Sequence, residues 1–121
     1  AGQIINISSV LGRMPSAVFR SAYSGSKHFL NALTANLRDE LRSEYPGITV
    51  TLVSPGVVAT EFGTNALHGG PDSRSLPSWQ TAEAVAEVIS NVVDSRRDDV
   101  YTLPGAKSRV LDYLSSLTSD A

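Results

Sequence analysis

The sequence predicts an α/β fold in which a parallel, doubly wound sheet carries helices on both faces. Three observations predict it. Short apolar, β-branched runs alternate along the chain with segments of helical period. Each of the first two runs gives way to small residues and turn formers, Ser8 and Ser9 after one and Ser54, Pro55 and Gly56 after the other. The 121 residues, 41% hydrophobic and 18% charged, suit one modest core rather than a disordered chain.

The first element is Gln3 to Ile7, an apolar run that reads as a buried strand and feeds the polar pair Ser8-Ser9. A loop from Gly12 to Ser21, holding Pro15, leads to one long helix from Ala22 to about Glu44. Leu30, Leu33, Leu37 and Leu41 recur there at helical spacing and form the expected apolar stripe, while Pro46 and Gly47 stop the helix. Ile48 to Val53 is the second strand. Residues 57–79 are irregular, broken by Gly63, Gly69, Gly70, Pro71 and Pro77, and a loop of that length in a small domain reads as a functional lid. Thr81 caps a helix that puts Val85, Val88, Ile89, Val92 and Val93 on one face. Val100 to Leu103 is a third short strand, and Lys107 to Leu117 a last helix with Val110, Leu111, Leu114 and Leu117 on one side. Three strands make an incomplete sheet of this kind, so at least one edge should lie open unless another segment pairs with it.

Composition excludes several classes of function. A net charge of -2 gives no field that would favour nucleic acid or an anionic membrane. Without cysteine there is neither disulfide nor thiolate metal site. His28 and His68 lie too far apart to form a helical metal pair, so no metal is expected. No apolar run has the length of a membrane helix, and no signal peptide is visible, which makes the expected compartment cytoplasmic. The opening Ala-Gly-Gln runs at once into an apolar segment and reads like the middle of a protein.

The chemistry gathers at the ends of the strands. Tyr23 and Lys27, four residues apart, share one helix face a turn from each other. A lysine ammonium beside a phenol favours the phenolate, and such a phenol can trade a proton with an alcohol or ketone oxygen. Ser9 follows the carboxyl end of a buried strand, where ligands bind in open α/β sheets, and its hydroxyl could stabilise a carbonyl oxygen. Taken singly, a Ser-Ser pair is more often a turn cap and a Tyr-Lys pair a solvated surface. The turn Ser54-Pro55-Gly56-Val57-Val58-Ala59-Thr60 closes the second strand, with a fixed φ at Pro55, room for close backbone approach at Gly56, and the Thr60 hydroxyl ready for a ligand.

In combination these segments resemble the short-chain dehydrogenases/reductases. Gly2-Gln3-Ile4-Ile5-Asn6-Ile7-Ser8-Ser9 is similar to that family's catalytic-serine strand, Tyr23-Ser24-Gly25-Ser26-Lys27 to its Tyr-x-x-x-Lys signature, and Pro55 to Thr60 to its Pro-Gly turn beside the nicotinamide. The resemblance covers essentially the whole chain. It implies a Rossmann-type sheet of which this chain is the C-terminal part, with NAD or NADP as cofactor and a small alcohol or ketone as substrate. It implies that Ser9 polarises the substrate carbonyl, Tyr23 is the general acid or base and also contacts the cofactor, and Lys27 holds the nicotinamide ribose. Val58 and Thr60, with Pro55 and Gly56, would face the cofactor. Glu61 to Trp79 would form the substrate lid with Phe62 as a wall, and the long helix would lie at a subunit interface of a homo-oligomer.

The interval from Ser9 to Tyr23 is one residue longer than the commonest family spacing, and Ser8 is a rival for the catalytic serine. The Gly-rich dinucleotide turn, the residue that selects NAD or NADP, and the family's catalytic asparagine have no counterpart here and are expected upstream. Asn6 stands on the wrong element to replace that asparagine. The lid, with Asn65, His68, Asp72 and Arg74, is too mixed to name a substrate. A second function stays open: a catalytically inactive piece that serves only for association through its long helix or an open sheet edge.

Overall fold

The structure, a computed structural model, describes residues 1–15 and 18–118. Three parallel strands, β1 (Gly2–Ile7), β2 (Ile48–Ser54) and β3 (Asp99–Tyr101), form one sheet in the order β1-β2-β3. The helices are α1 (Ser21–Glu44), α2 (Ala82–Ser95) and α3 (Ala106–Thr118). Each β-branched run became a strand, and each crossover between the parallel strands carries a helix, as the alternation predicted. Among the described residues no helix is long and apolar enough to cross a membrane.

β2 is the centre of the sheet, and Val50 to Ser54 are all buried. Gly2 pairs with Ile48 and Ile7 with Val53, so partners across the pair share a face of the sheet. Ile5 and Val53 meet Val88, Ile89 and Val92 of α2 on one face, where Gln3 Nε2 also donates to the Val92 carbonyl at 3.0 Å. On the other face, Asn6 donates to Thr34 of α1 at 2.9 Å. α3 lies near the carboxyl ends of the strands, where Ala106 and Val110 close over Val10 and Met14, flanked by Tyr101 and Leu103. β1 and β3 are both edges of the sheet among the described residues, and Ile4 and Ile7 of β1 are partly exposed.

Three expectations about buried faces need correction. α1 does not dock through its leucine stripe: Leu33 is 47% exposed, and Leu30, Leu37 and Leu41 are half-buried. The side chains it buries are Ser24, Asn31 and Thr34, and the bonds of Asn31 to Ser8 and of Thr34 to Asn6 are ones a leucine could not make. In α2, Val85 and Val92 are buried as predicted, but Val93 is half-exposed because it lies beyond the edge of the contact stripe. In α3, Val110 is buried as predicted, but Leu111, Leu114 and Leu117 are exposed, and the smaller Ala106 joins Val110 where the helix approaches closely.

Some boundaries also differ. The expected loop from Gly12 to Ser21 is preceded by a 3₁₀ turn at Val10–Gly12, capped by Ser9, and its residues 16 and 17 lie outside the described residues. β3 ends at Tyr101 rather than Leu103, because Thr102 bonds to Gln80 instead: the Gln80 amide donates to the Thr102 carbonyl at 2.9 Å and accepts from its hydroxyl at 2.7 Å. Thr81 caps α2 as predicted, its hydroxyl accepting from the Ala84 N–H at 3.1 Å.

Arg38 fastens α1 to the sheet. Its Nε donates to the Val50 carbonyl at 2.9 Å and its Nη2 to the Asp98 carbonyl at 2.7 Å, with the carboxylates of Asp98 and Asp99 at 3.5 and 3.9 Å. The side chain is only 14% exposed, so this polar staple is held largely out of water.

Candidate active site

The first two strands end side by side, and their outgoing loops are tied to each other. The Ser8 N–H donates to the Val53 carbonyl at 2.7 Å and the Val10 N–H to the Pro55 carbonyl at 2.9 Å. The parallel ladder thus runs on past β1 and holds the Ser8-Ser9 loop against the Pro55-Gly56 turn. This is the carboxyl end of the sheet, where an α/β fold builds its sites.

α1 brings its first turns to the same place. Lys27 Nζ donates to the carbonyl of Ile7, the last residue of β1, at 3.1 Å, and lies 5.7 Å from the centroid of the Tyr23 ring. Phe62, from the irregular segment after β2, meets the Tyr23 ring edge to face at 6.2 Å. The structure therefore brings Tyr23, Lys27 and Phe62 together, with Lys27 bonded two residues before Ser9. Among the described residues the Tyr23 hydroxyl has no hydrogen-bond partner within the chain.

The two serines have different surroundings, although both are buried. Ser8 gives its hydroxyl proton to Asn31 Oδ1. Ser9 accepts from the Leu11 N–H at 3.1 Å, and no acceptor among the described residues takes its proton. A hydroxyl held by an accepted bond, with its proton uncommitted, can donate to an incoming oxygen.

In the turn after β2, Thr60 N–H donates to the Val58 carbonyl at 2.9 Å, while the Val58 N–H has no partner in the chain among the described residues. The Thr60 hydroxyl accepts a long bond from Phe62 N–H at 3.3 Å, which leaves its proton free. Gly56 packs closely within the fold, since a Cβ there would come 3.0 Å from the end of the Leu103 side chain.

The segment read as a lid has a narrow neck. Val58 bridges Gln80, with Ala59 N–H donating to Gln80 O and Gln80 N–H to Val57 O, both at 2.8 Å. Inside it the backbone crosses itself, because a Cβ at Gly63 would overlap the Pro71 carbonyl and one at Gly70 the Gly63 carbonyl. Those glycines read only as helix breakers in the sequence, since a crossing of distant backbone leaves no local pattern.

Asp72 and Arg74 form a forked pair in this segment, with Nη2 to Oδ2 at 2.9 Å and Nε to Oδ1 at 3.0 Å, and the Arg74 N–H also donates to Oδ1 at 2.9 Å. The guanidinium bonds first, and the backbone bond second, hold the Asp72 carboxyl below its usual range. A lowered native value means that the carboxylate's contribution is present above the ordinary aspartate range and is lost as the pH falls through the native midpoint. A carbon-detected NMR titration should give Asp72 a depressed midpoint that rises toward the ordinary value in Arg74→Ala. An unchanged midpoint in that variant would rule out the pairing.

Sequence reasoning missed Asn31. It is 4% exposed and lies one turn beyond Lys27 on the same face of α1. The polar series Ser24, Lys27, Asn31, Thr34 and Arg38, at alternating three- and four-residue steps, was the available signal.

Comparison with known proteins follows the same motifs. The model of the short chain dehydrogenase family matches residues 1–69. Dehydrogenase/reductase SDR family member 7B of Xenopus laevis is 38% identical over 104 residues, covering 82% of this chain and 31% of the relative. Member 11 of Bos taurus is 35% identical over 112 residues, covering 85% and 44%. Among solved structures, a short-chain dehydrogenase from Sphingobium yanoikuyae in complex with NADPH superposes with a TM-score of 0.73 at 25% identity, over 98% of this chain and 45% of that one. One from Burkholderia phymatum in complex with NAD gives 0.79 at 22% identity, over 98% and 49%. The chain thus spans from 31% to 49% of the length of these proteins. The sheet is a Rossmann-type sheet, and the chain belongs to the short chain dehydrogenase family.

Proposed function

We propose that this chain is the C-terminal portion of an NAD(P)-dependent dehydrogenase/reductase acting on an alcohol or carbonyl carbon, with its dinucleotide-binding half encoded upstream. The observation that carries the reading is the placing of Lys27, within reach of both the end of β1 and the Tyr23 ring. The NADPH and NAD held by the Sphingobium and Burkholderia proteins support the choice of cofactor.

The residues present fit a nicotinamide. The free N–H of Val58 and the uncommitted hydroxyl proton of Thr60 are donors suited to a carboxamide, and Lys27 is a cation suited to ribose hydroxyls. Bound there, the cofactor would supply or accept the hydride. Ser9 donates its free proton to the substrate oxygen and stabilises charge that builds on it. Tyr23 passes its phenolic proton to that oxygen in reduction and takes it back in oxidation. The Lys27 charge lies where it stabilises the tyrosinate left behind. Phe62, 64% exposed against Tyr23, forms an apolar wall for the substrate. Phe29 and Leu33, exposed on the outer side of α1, support association of the full-length protein through this helix.

The full-length protein should oxidise NADH or NADPH in the presence of some member of a panel of ketones and aldehydes, followed by loss of the reduced nicotinamide's absorbance. No turnover with either cofactor, despite measured cofactor binding, would overturn the reading.

A further inference from the structure

We propose that Asn31 is a positioning residue that fixes the Ser9 hydroxyl relative to Tyr23, an inference that rests on the function proposed above. The Asn31 amide holds the Ser9 loop on both sides. Its Oδ1 accepts from the hydroxyl of Ser8, immediately before Ser9, and its Nδ2 donates to the carbonyl of Gly12, three residues after it, at 3.1 Å. Ser8, Gly12 and Asn31 are all buried, so water does not compete for these bonds.

The fit is close. A Cβ at Gly12 would lie 2.7 Å and 2.9 Å from the two amide heteroatoms of Asn31 and 2.8 Å from Ser8 Oγ. Only a residue without a side chain lets the loop settle onto the amide. Between the two anchors Ser9 is turned by its own bond from Leu11 N–H at 3.1 Å, so its direction follows from where Ser8 and Gly12 are held.

The anchor stands on the helix that carries Tyr23 and Lys27, eight and four residues beyond them on one face. One rigid element therefore sets both the phenol and the loop that presents the serine. The chemistry requires an amide in particular. One group must accept from a hydroxyl and donate to a carbonyl at once, which neither a carboxylate nor an aliphatic side chain can do. The Ser8 proton, committed to Asn31, leaves Ser9 as the hydroxyl free to face a substrate.

The test is a double-mutant cycle in the full-length protein with a ketone it reduces. Asn31→Leu should lower kcat roughly 10- to 100-fold, the scale of a misplaced group, with the KM for reduced nicotinamide unchanged. In a Ser9→Ala background the same substitution should cost almost nothing, because the residue it positions is gone. Asn31→Asp should also lose activity, since its carboxylate cannot donate to the Gly12 carbonyl. Equal losses with and without Ser9 would overturn the proposal, because a merely structural residue costs the same in both backgrounds. Should Asn31→Leu fail to fold, the cycle is run with Ser8→Ala, which keeps the bond from Asn31 to Gly12, and the same pair of outcomes decides. An inactive wild-type protein overturns the functional reading together with this one, whereas an active enzyme with equal losses overturns this one alone.

Discussion

Tyr23→Phe in the full-length protein is expected to lower kcat for carbonyl reduction by about 10²–10⁴-fold, the range for removal of a positioned proton donor. That corresponds to roughly 3–5 kcal/mol of transition-state stabilisation. The substitution removes one oxygen, and that oxygen has no partner within the chain among the described residues. The ring that meets Phe62 and stands beside Lys27 is kept. Folding and cofactor affinity should therefore stay near wild type, which circular dichroism and nicotinamide fluorescence can confirm. Wild-type kcat in this variant would remove Tyr23 from the reaction and leave the proposed chemistry without its proton donor.

The largest effect on stability is expected at Arg38. Arg38→Met keeps the aliphatic stem but withdraws the donors from the Val50 and Asp98 carbonyls. Bonds from a charged donor are worth about 1.5–3 kcal/mol each, and the ion pairs to the more exposed carboxylates of Asp98 and Asp99 add little. With partial compensation from water, the expected loss is about 2–3 kcal/mol. That is a large share of the roughly 5–15 kcal/mol that holds a domain folded. Urea denaturation should show a lower midpoint at constant slope. Arg42 gives the contrast: it reaches Asp39 at 3.6 Å and Asp98 at 3.8 Å with a side chain 64% exposed, so Arg42→Ala should cost under about 0.5 kcal/mol. Equal losses in the two variants would show that burial does not set the worth of the Arg38 contacts.

The strands and helices were legible because their periodicities are local: a β-branched run such as Ile48 to Val53 makes a central strand almost wherever it is placed. Tyr23 and Lys27 were legible for the same reason, since helical spacing alone puts them on one face. The buried face of α1 was not. Asn31 and Thr34 resemble surface residues until Ser8 and Asn6, more than twenty positions away, supply their partners. In α3 the leucines gave the stronger apolar signal, yet Ala106 and Val110 were buried because small side chains admit Val10 and Met14. Periodicity reports that a helix has two sides, and the shape of the neighbouring surface decides which one is covered.

The neck between Val58 and Gln80 has a consequence for how this fold can change. Gln80 is itself anchored to Thr102, so the two ends of the intervening segment are clamped independently of what lies between them. Residues can then be added to or removed from that segment at the small entropic cost of a longer closed loop, about 0.6 kcal/mol for each doubling. The register of the strands and the disposition of Tyr23 and Lys27 would be undisturbed. Such a segment behaves as an exchangeable cassette: new specificities can be tried there without renegotiating the scaffold that performs the chemistry.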